Sequence, residues 1–448
     1  MNDNAKMMPH GSKRVAIHTL GCKLNHAESS AIGNRFVRDG FDLVEMEAGA
    51  DVIVINSCTV TENADRECRQ IVRRALRANP DSCVIVTGCY AQLQPERIAS
   101  IDGVDFVLGS SEKFKIFDLV PAFEKVSSPT LYVGEIGADD SFGHAATAEG
   151  DGRTRAFLKV QDGCDYNCSF CTIPLARGAS RSRSVDETIR QARALVDRGY
   201  REIVLTGVNT GDYGRKIGTS LQELLVALHD VDGLQRLRIS SIEPNLLSDE
   251  IIALTATSPI MVPHFHIPLQ SGSDGTLARM RRRYRSADYR RKIETIVDAM
   301  PDVGIGIDVI VGFPGEEGGH FAETRDFLLD LPFHYLHVFT YSERENTPAR
   351  GYEGRVPVDV RRARTREMRE ISERRRRMFA EGARESVRPV LFEAPRGDGS
   401  MQGYTDNYIR VAMQEDASLT GRIIDVRIGE WEGEHAACMP VTPLLHAV

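Results

Sequence analysis

The chain has 448 residues and a formal charge of −8, from 56 Lys and Arg against 64 Asp and Glu; this excludes a uniformly basic nucleic-acid coat and leaves room for a local basic face. Hydrophobic residues at 42% and charged residues at 27% place it among globular proteins, and the length exceeds what one core normally serves, so two or three domains are expected. No apolar run approaches the ~20 residues of a membrane span, and Met1 to Arg14 lacks the apolar centre of a signal peptide, so a cytoplasmic protein without a membrane partner is expected.

From Val15 to about Val120, β-branched runs (15–20, 51–56 and 83–88) alternate with helical stretches (28–39 and 64–78), the pattern of a doubly wound parallel sheet. Nine cysteines, an odd number, argue against a disulfide framework and for metal or thiol chemistry. Cys22, Cys58 and Cys89 each follow one of the three strands. The carboxyl ends of parallel strands lie along one sheet edge, so three separate loops are expected to bring these thiols together, although buried Cys is common in any core. Cys83, at the opposite end of its strand, and Cys68, within a helix, read as small buried side chains. Residues 121–153 lose periodicity and read as a connecting segment.

From Phe157 onward six apolar runs (157–160, 202–208, 237–242, 265–269, 304–312 and 335–341) recur with helical periodicity between them. Six β/α units predict an open, partial barrel with its site at the carboxyl ends of the strands. Residues 358–388 form a helical segment dominated by Arg and Glu. Beyond it, short runs (390–393, 408–413 and 422–428) separated by Gly, Asp and Asn suggest a small β-barrel.

Cys164, Cys168 and Cys171 form a C-x3-C-x2-C motif directly after the first strand of the partial barrel. Three thiolates on one short loop can hold three irons of a 4Fe-4S cluster and leave the fourth iron open. A structural zinc site asks for four ligands in two pairs, and no fourth Cys or His lies nearby in sequence. Polar or Gly interruptions close the later strands: Thr206 to Asn209, Ser240 to Pro244, Pro268 to Ser273 and Asp308 to Pro314. Such a barrel puts ligands there, and each is also compatible with an ordinary β/α turn. His264 and His266 alternate on one strand, one toward the core and one toward the lumen, with His266 the candidate for a direct role.

The central motif, at the top of the first strand of six, resembles the radical S-adenosylmethionine superfamily. That resemblance implies that the open iron takes the amino and carboxylate groups of S-adenosylmethionine, and that one electron cleaves the sulfonium to a 5′-deoxyadenosyl radical. It implies cofactor contacts from Phe170, Thr206, Gly207, Asn209, Ser240, Glu243, Gln270 and Asp308. Nearly the whole chain resembles the methylthiotransferases, which insert sulfur into an unactivated C–H bond and methylate it. On that resemblance the fold class is α/β: an N-terminal doubly wound cluster domain (13–125), a partial (β/α)6 radical core (150–385) and a TRAM-type β-barrel (386–448). It also implies that Cys22, Cys58 and Cys89 hold an auxiliary 4Fe-4S cluster that supplies or relays sulfur, making two clusters in all. Residues 56–61 (AsnSerCysThrValThr), 87–92 (ThrGlyCysTyrAlaGln), 171–178 and 341–349 look like the branch acting on threonylcarbamoyladenosine beside the tRNA anticodon. The rival substrates are isopentenyl-adenosine in tRNA and an aspartate of a ribosomal protein. A rival from another class is an RNA-binding module with structural clusters, disfavoured because such a site has no use for an open iron.

A tRNA anticodon stem-loop needs a cationic and aromatic face. Arg279 to Lys292 packs Arg around two tyrosines and offers Arg281, Arg282 and Tyr284, with a solvated helix face as the plainer reading. Arg177, Arg181 and Arg183, just after the cluster loop, are placed to meet a substrate at the barrel mouth. Arg361 to Arg377 alternates with Glu and reads as a charge-laced helix. The terminal segment from Pro389 carries four Arg against nine carboxylates, so any RNA role rests on a local face of Tyr404, Tyr408 and Arg410. An electron donor and a sulfur source are expected partners.

Overall fold

The computed structural model describes residues 13–59, 62–137, 142–143, 145–147 and 153–441. The chain forms two compact units: residues 1–149 together with 175–178, and the remainder.

In the first unit, β1 (Arg14–Thr19), β2 (Asp42–Leu43), β3 (Val52–Ser57), β4 (Cys83–Gly88), β5 (Phe106–Leu108) and β6 (Thr130–Tyr132) make one parallel sheet in the order β2-β1-β3-β4-β5-β6. The unbroken apolar runs of β3 and β4 follow from burial on both faces, because alternate residues feed two different cores. Ile53, Ile55, Val84 and Val86 pack on one face with Cys68, Ile71, Val72 and Ala75 of helix α2 (Glu62–Ala78). Val52, Val54, Cys83 and Ile85 pack on the other with Ile32 and Phe36 of helix α1 (Lys23–Arg38). Cys68 and Cys83 are thus core side chains. The segment read as a connection contributes β6, paired in parallel with β5. Three residues at a sheet edge are too few to show a period.

In the second unit, β7 (Arg155–Lys159) leads into β8 (Gln161–Asp162) and β9 (Arg181–Ser182), an antiparallel pair that closes the base of the loop carrying the central cysteines. Then come β10 (Glu202–Thr206), β11 (Arg236–Ile239), β12 (His264–His266), β13 (Gly304–Val311) and β14 (Tyr335–Thr340). Two parallel three-stranded sheets, β7-β10-β11 and β12-β13-β14, are joined by the bridges Leu237 to Met261 and Ser241 to His266. The result is an open six-strand partial barrel, as the spacing predicts. The helix Val358–Gly382 follows, with Arg361 on Glu343 and Arg364 on Glu316 as buried or nearly buried ion pairs.

The chain ends in a closed five-stranded barrel ordered β15-β16-β17-β19-β18, from β15 (Val387–Phe392), β16 (Ser400–Thr405), β17 (Arg410–Gln414), β18 (Ile423–Glu432) and β19 (His435–Pro440). It caps the amino-terminal end of the partial barrel. Tyr404 and Tyr408 stack at 4.7 Å, with the Arg155 guanidinium over Tyr404 and that of Arg238 over Tyr408. A Cβ at Gly304 would overlap the Asn407 carbonyl, so the first residue of β13 has to be glycine. Beneath this stack Glu202 accepts from Arg238 at 2.8 Å. Burial opposes its charge, but Arg238, Arg155 and Arg236 outweigh it and hold the carboxyl down at about 2. Among the described residues no helix is long and apolar enough to cross a membrane.

Candidate active site

The central cysteines are placed by a single buried amide. Gln161, in β8, donates to the Gly163 carbonyl at 2.8 Å and to Ser180 Oγ at 3.0 Å, tying both ends of the loop, while its Oε1 accepts from the Asn209 N–H at 2.9 Å. A Cβ at Gly207 would lie 2.8 Å from Gln161 Oε1, so the glycine lets β10's end approach the loop. Sequence reading missed Gln161; a glutamine directly behind an apolar strand and before AspGlyCys was its available signal.

The thiols of Cys164, Cys168 and Cys171 act on one another electrostatically, and burial pushes Cys164 up to about 11 and Cys171 to about 12. Backbone N–H groups of Tyr166 and Ile173 point at the Cys164 and Cys171 sulfurs. Arg282 donates to Cys168 Sγ at 3.2 Å and, through its other nitrogen, to Glu243. Among the described residues, the only His, Cys, Asp or Glu trio whose ligand atoms close within 4.8 Å is one without cysteine. Three thiols on one loop, with no fourth cysteine on it, suit a cluster with one open iron better than a structural zinc site that asks for four ligands.

Several buried polar atoms around the mouth have no protein partner: Thr206 Oγ1, both amide atoms of Asn209, Ser240 Oγ and Gln270 Oε1. Buried polar atoms are rarely left so, and a group of them at adjoining strand ends points to a polar ligand. An amino acid group, ribose hydroxyls and an adenine edge, the parts of S-adenosylmethionine, match this mixture of donors and acceptors. Gln270 is also held at φ +68, a conformation costing on the order of 1 kcal/mol for a non-glycine residue. Phe170 packs edge-on to Phe313 at 6.4 Å beside the loop.

Below them a row of side chains crosses four strands. His266 Nδ1 meets Ser241 Oγ at 2.7 Å, and His266 Nε2 meets Asp308 Oδ1 at 2.7 Å. Asp308 pairs in register with His337 on β14, whose ring stands 5.2 Å from that of His266. These are the trio noted above, which His266 enters as the lumen-facing member of its pair. His264 instead meets Tyr335 OH at 3.0 Å, at the capped end. Ser241 lies in the polar interruption expected at 240–244, whereas His337 carries no signal in the sequence; register across strands brings both to His266.

In the first unit, β1, β3 and β4 are adjacent and in register from Thr19 to Asn56 to Thr87, so Cys22, Cys58 and Cys89 leave the sheet at one edge. A Cβ at Gly21 would lie 2.7 Å from Cys58 Sγ, and the Cys89 thiol acts on that of Cys22. Gly88, at φ +97, approaches the Ser57 backbone where a side chain could not. Behind the edge, Asn25 Nδ2 donates to the carbonyls of Leu20 and Ser57, and Asn56 returns a bond to the Asn25 carbonyl. Glu28, fully buried, takes Arg177 at 2.9 Å and Lys113 at 2.6 Å.

Most side chains expected to meet RNA are instead structural. Arg177 is 2% exposed and committed to Glu28 and Asn25. Arg183, 1% exposed, bonds Gln191, and burial brings its pKa down to about 10. Arg181 reaches Asp162 at 3.5 Å and is largely covered. Arg282 serves Cys168 and Glu243, while Tyr284 donates to the Leu269 carbonyl at 2.8 Å. Tyr404 and Tyr408 are spent on the barrel cap, and Arg410 bonds Gln402. Arg281 alone of the set is exposed without such a commitment, at φ +59. The reason is common to all: a run of Arg reports charge, and only packing decides whether a carboxylate or a carbonyl meets it first.

An open parallel barrel with three cysteines on the loop after its first strand defines a radical S-adenosylmethionine enzyme, with an iron-sulfur cluster and S-adenosylmethionine as its cofactors. Residues 158–328 match the Radical SAM superfamily, and residues 14–109 match the Uncharacterized protein family UPF0004. A radical S-adenosylmethionine methyltransferase, TsrM, from Kitasatospora setae shares the fold at TM-score 0.54 and 14% identity, over 76% of this chain and 77% of that one. The threonylcarbamoyladenosine tRNA methylthiotransferase MtaB of Bacillus subtilis is 40% identical, over 92% of this chain and 93% of its own. That of Aquifex aeolicus is 35% identical over 93% and 100%. The tRNA-2-methylthio-N(6)-dimethylallyladenosine synthase of a Jannaschia species is 34% identical over 94% and 93%. The chain belongs to the MtaB family of radical S-adenosylmethionine methylthiotransferases.

Proposed function

We propose that the protein converts N6-threonylcarbamoyladenosine, beside the tRNA anticodon at position 37, to its 2-methylthio derivative. The family likeness over the whole chain, joined to two separate cysteine triads each at the carboxyl ends of parallel strands, supports this reading. On this reading it acts in the cytoplasm on the anticodon stem-loop, with an electron donor and a sulfur source as further partners. Cys164, Cys168 and Cys171 would hold the radical-generating 4Fe-4S cluster, and Cys22, Cys58 and Cys89 an auxiliary one. When bound, the first supplies the electron that cleaves S-adenosylmethionine to a 5′-deoxyadenosyl radical, and the second supplies or relays sulfur.

The chain's own residues do the rest. An adenine C–H has no acidity that a side chain could exploit, so the protein's work is orientation and exclusion of water rather than general-base catalysis. Asn209, Thr206 and Ser240 offer the polar atoms that fix the amino acid and ribose ends of the cofactor. Gln161 fixes Asn209 relative to the cysteine loop. Arg282 sets a positive charge against Cys168, with Glu243 holding the guanidinium in place. Phe170 and Phe313 keep the loop dry.

The test is anaerobic incubation of the reconstituted protein with S-adenosylmethionine, dithionite and tRNA from a strain lacking the gene, followed by mass spectrometry of the digested nucleosides. A 2-methylthio form of threonylcarbamoyladenosine beside 5′-deoxyadenosine is expected. A methylthio group on isopentenyl-adenosine instead would overturn the substrate assignment.

A further inference from the structure

The positive charge expected for RNA contact has left the barrel mouth for internal ion pairs, yet the first unit carries a cationic groove that no motif announces. Arg69, Arg73 and Arg77 stand four residues apart on α2, so they form one stripe at intervals of about 6 Å. Arg97, from the short helix Pro95–Ala99, faces the same groove. The groove encloses about 660 Å³ and is lined also by Ser100 and by one carboxylate, Asp102. Arg73 and Arg77 are exposed. Among the described residues, no carboxylate forms an ion pair with Arg69, Arg73 or Arg77. Arg74, on the neighbouring face, is by contrast paired with Glu47.

In a chain of net charge −8, four guanidinium groups and one carboxylate line one groove, a local cationic excess that is complementary to a polyanion. The stripe's repeat is close to that of successive phosphates along an RNA strand, and guanidinium groups take phosphate oxygens two at a time. α2 starts beyond the sheet edge where Cys58 emerges and runs back toward the start of β4, so these arginines lie on the part of the helix away from the three thiols.

We infer that the groove of Arg69, Arg73, Arg77 and Arg97 docks the ribose-phosphate backbone of the substrate tRNA, at nucleotides other than the one modified. This rests on tRNA being the substrate. It adds a binding surface that carries affinity without sequence choice, since phosphate contacts position and base contacts specify.

The test is binding of unmodified-at-C2 tRNA to the anaerobically reconstituted full chain across a salt series, together with steady-state methylthiolation. The variant R69A/R73A/R77A is compared with R69K/R73K/R77K and with R362A/R366A/R369A, which removes equal charge from the exposed face of the helix Val358–Gly382. The groove alanine variant is expected to raise Kd at least tenfold, flatten the slope of log K against log salt by about 2 to 3, and raise KM with kcat held. The lysine variant is expected to recover most of the salt slope. Equal weakening by the two alanine variants would reduce the groove to net charge and overturn the inference, as would an unchanged salt slope in the groove variant. Wild-type protein that binds tRNA tightly but yields no methylthio nucleoside would break the functional reading and leave the groove's own result standing. Wild-type protein that fails to bind tRNA even at low salt would overturn both.

Discussion

The two cysteine triads reach similar ends by opposite routes. Cys164, Cys168 and Cys171 lie within eight residues, and their geometry is set by one loop whose ends Gln161 ties together. Cys22, Cys58 and Cys89 are separated by more than thirty residues each, and only the register of three parallel strands brings them to one edge. A loop-built site depends on local hydrogen bonds. A site built by topology depends on the stability of the whole sheet and on what is buried behind it, here the ion triad of Glu28 with Arg177 and Lys113.

The sharpest way to separate the two is to remove them in turn. Replacing Cys164, Cys168 and Cys171 by Ala is expected to abolish 5′-deoxyadenosine formation altogether. Replacing Cys22, Cys58 and Cys89 by Ala is expected to leave that cleavage and stop sulfur insertion; methylthiolation surviving in either triple variant would break the comparison. Next in size is Glu28→Ala, which strips the carboxylate from two buried cations and is expected to destabilise the first unit by about 3–5 kcal/mol. Its readout is a fall of the first thermal transition together with iron content, while cleavage of S-adenosylmethionine persists. Both activities vanishing together would show that the two sites are not separately supported.

A third probe acts on the second unit alone. The Glu202 carboxyl is held at about 2 against an ordinary value near 4.5, so its contribution is present above pH 4.5 and is lost as pH falls toward 2. That contribution is on the order of 3 kcal/mol. Glu202→Gln is expected to lower stability at neutral pH and to flatten the acid limb of the unfolding profile between those values, as followed by circular dichroism. The smallest effect sharpens the loop-built site: Arg282→Ala is expected to slow 5′-deoxyadenosine formation about 10- to 100-fold and to alter the electron paramagnetic resonance spectrum of the reduced cluster. Arg282→Lys is expected to restore part of the rate, because charge beside Cys168 returns without the fork that also reaches Glu243.

The periodicity of the chain was sufficient for three strands of the first sheet, the six-strand barrel and three strands of the small terminal barrel, because a strand long enough to bury two faces or alternate across one leaves a pattern. Strands β2, β5 and β6, of two or three residues each, escaped it, as did β16 and β19 in the terminal barrel. The central triad was legible for a simpler reason: a loop of eight residues cannot separate its own cysteines. The arginine runs misled for the converse reason. Arg177 and Arg282 look alike in sequence to any solvated cation, and their partners, Glu28 and Glu243, lie 149 and 39 residues away.

By itself, then, the sequence determined where the cysteines of the two triads fall and which strands carry them, since thiol chemistry and hydrophobic period are properties of the residues and their spacing. Tertiary structure alone decided where the charge goes. It sank Arg177, Arg183 and Arg282 into the interior, spent Tyr404 and Tyr408 on closing the barrel, and left Arg73 and Arg77 in the open. The physical reason is that a buried guanidinium is tolerable only beside acceptors, and the fold, not the neighbouring residues in the chain, brings those acceptors to it.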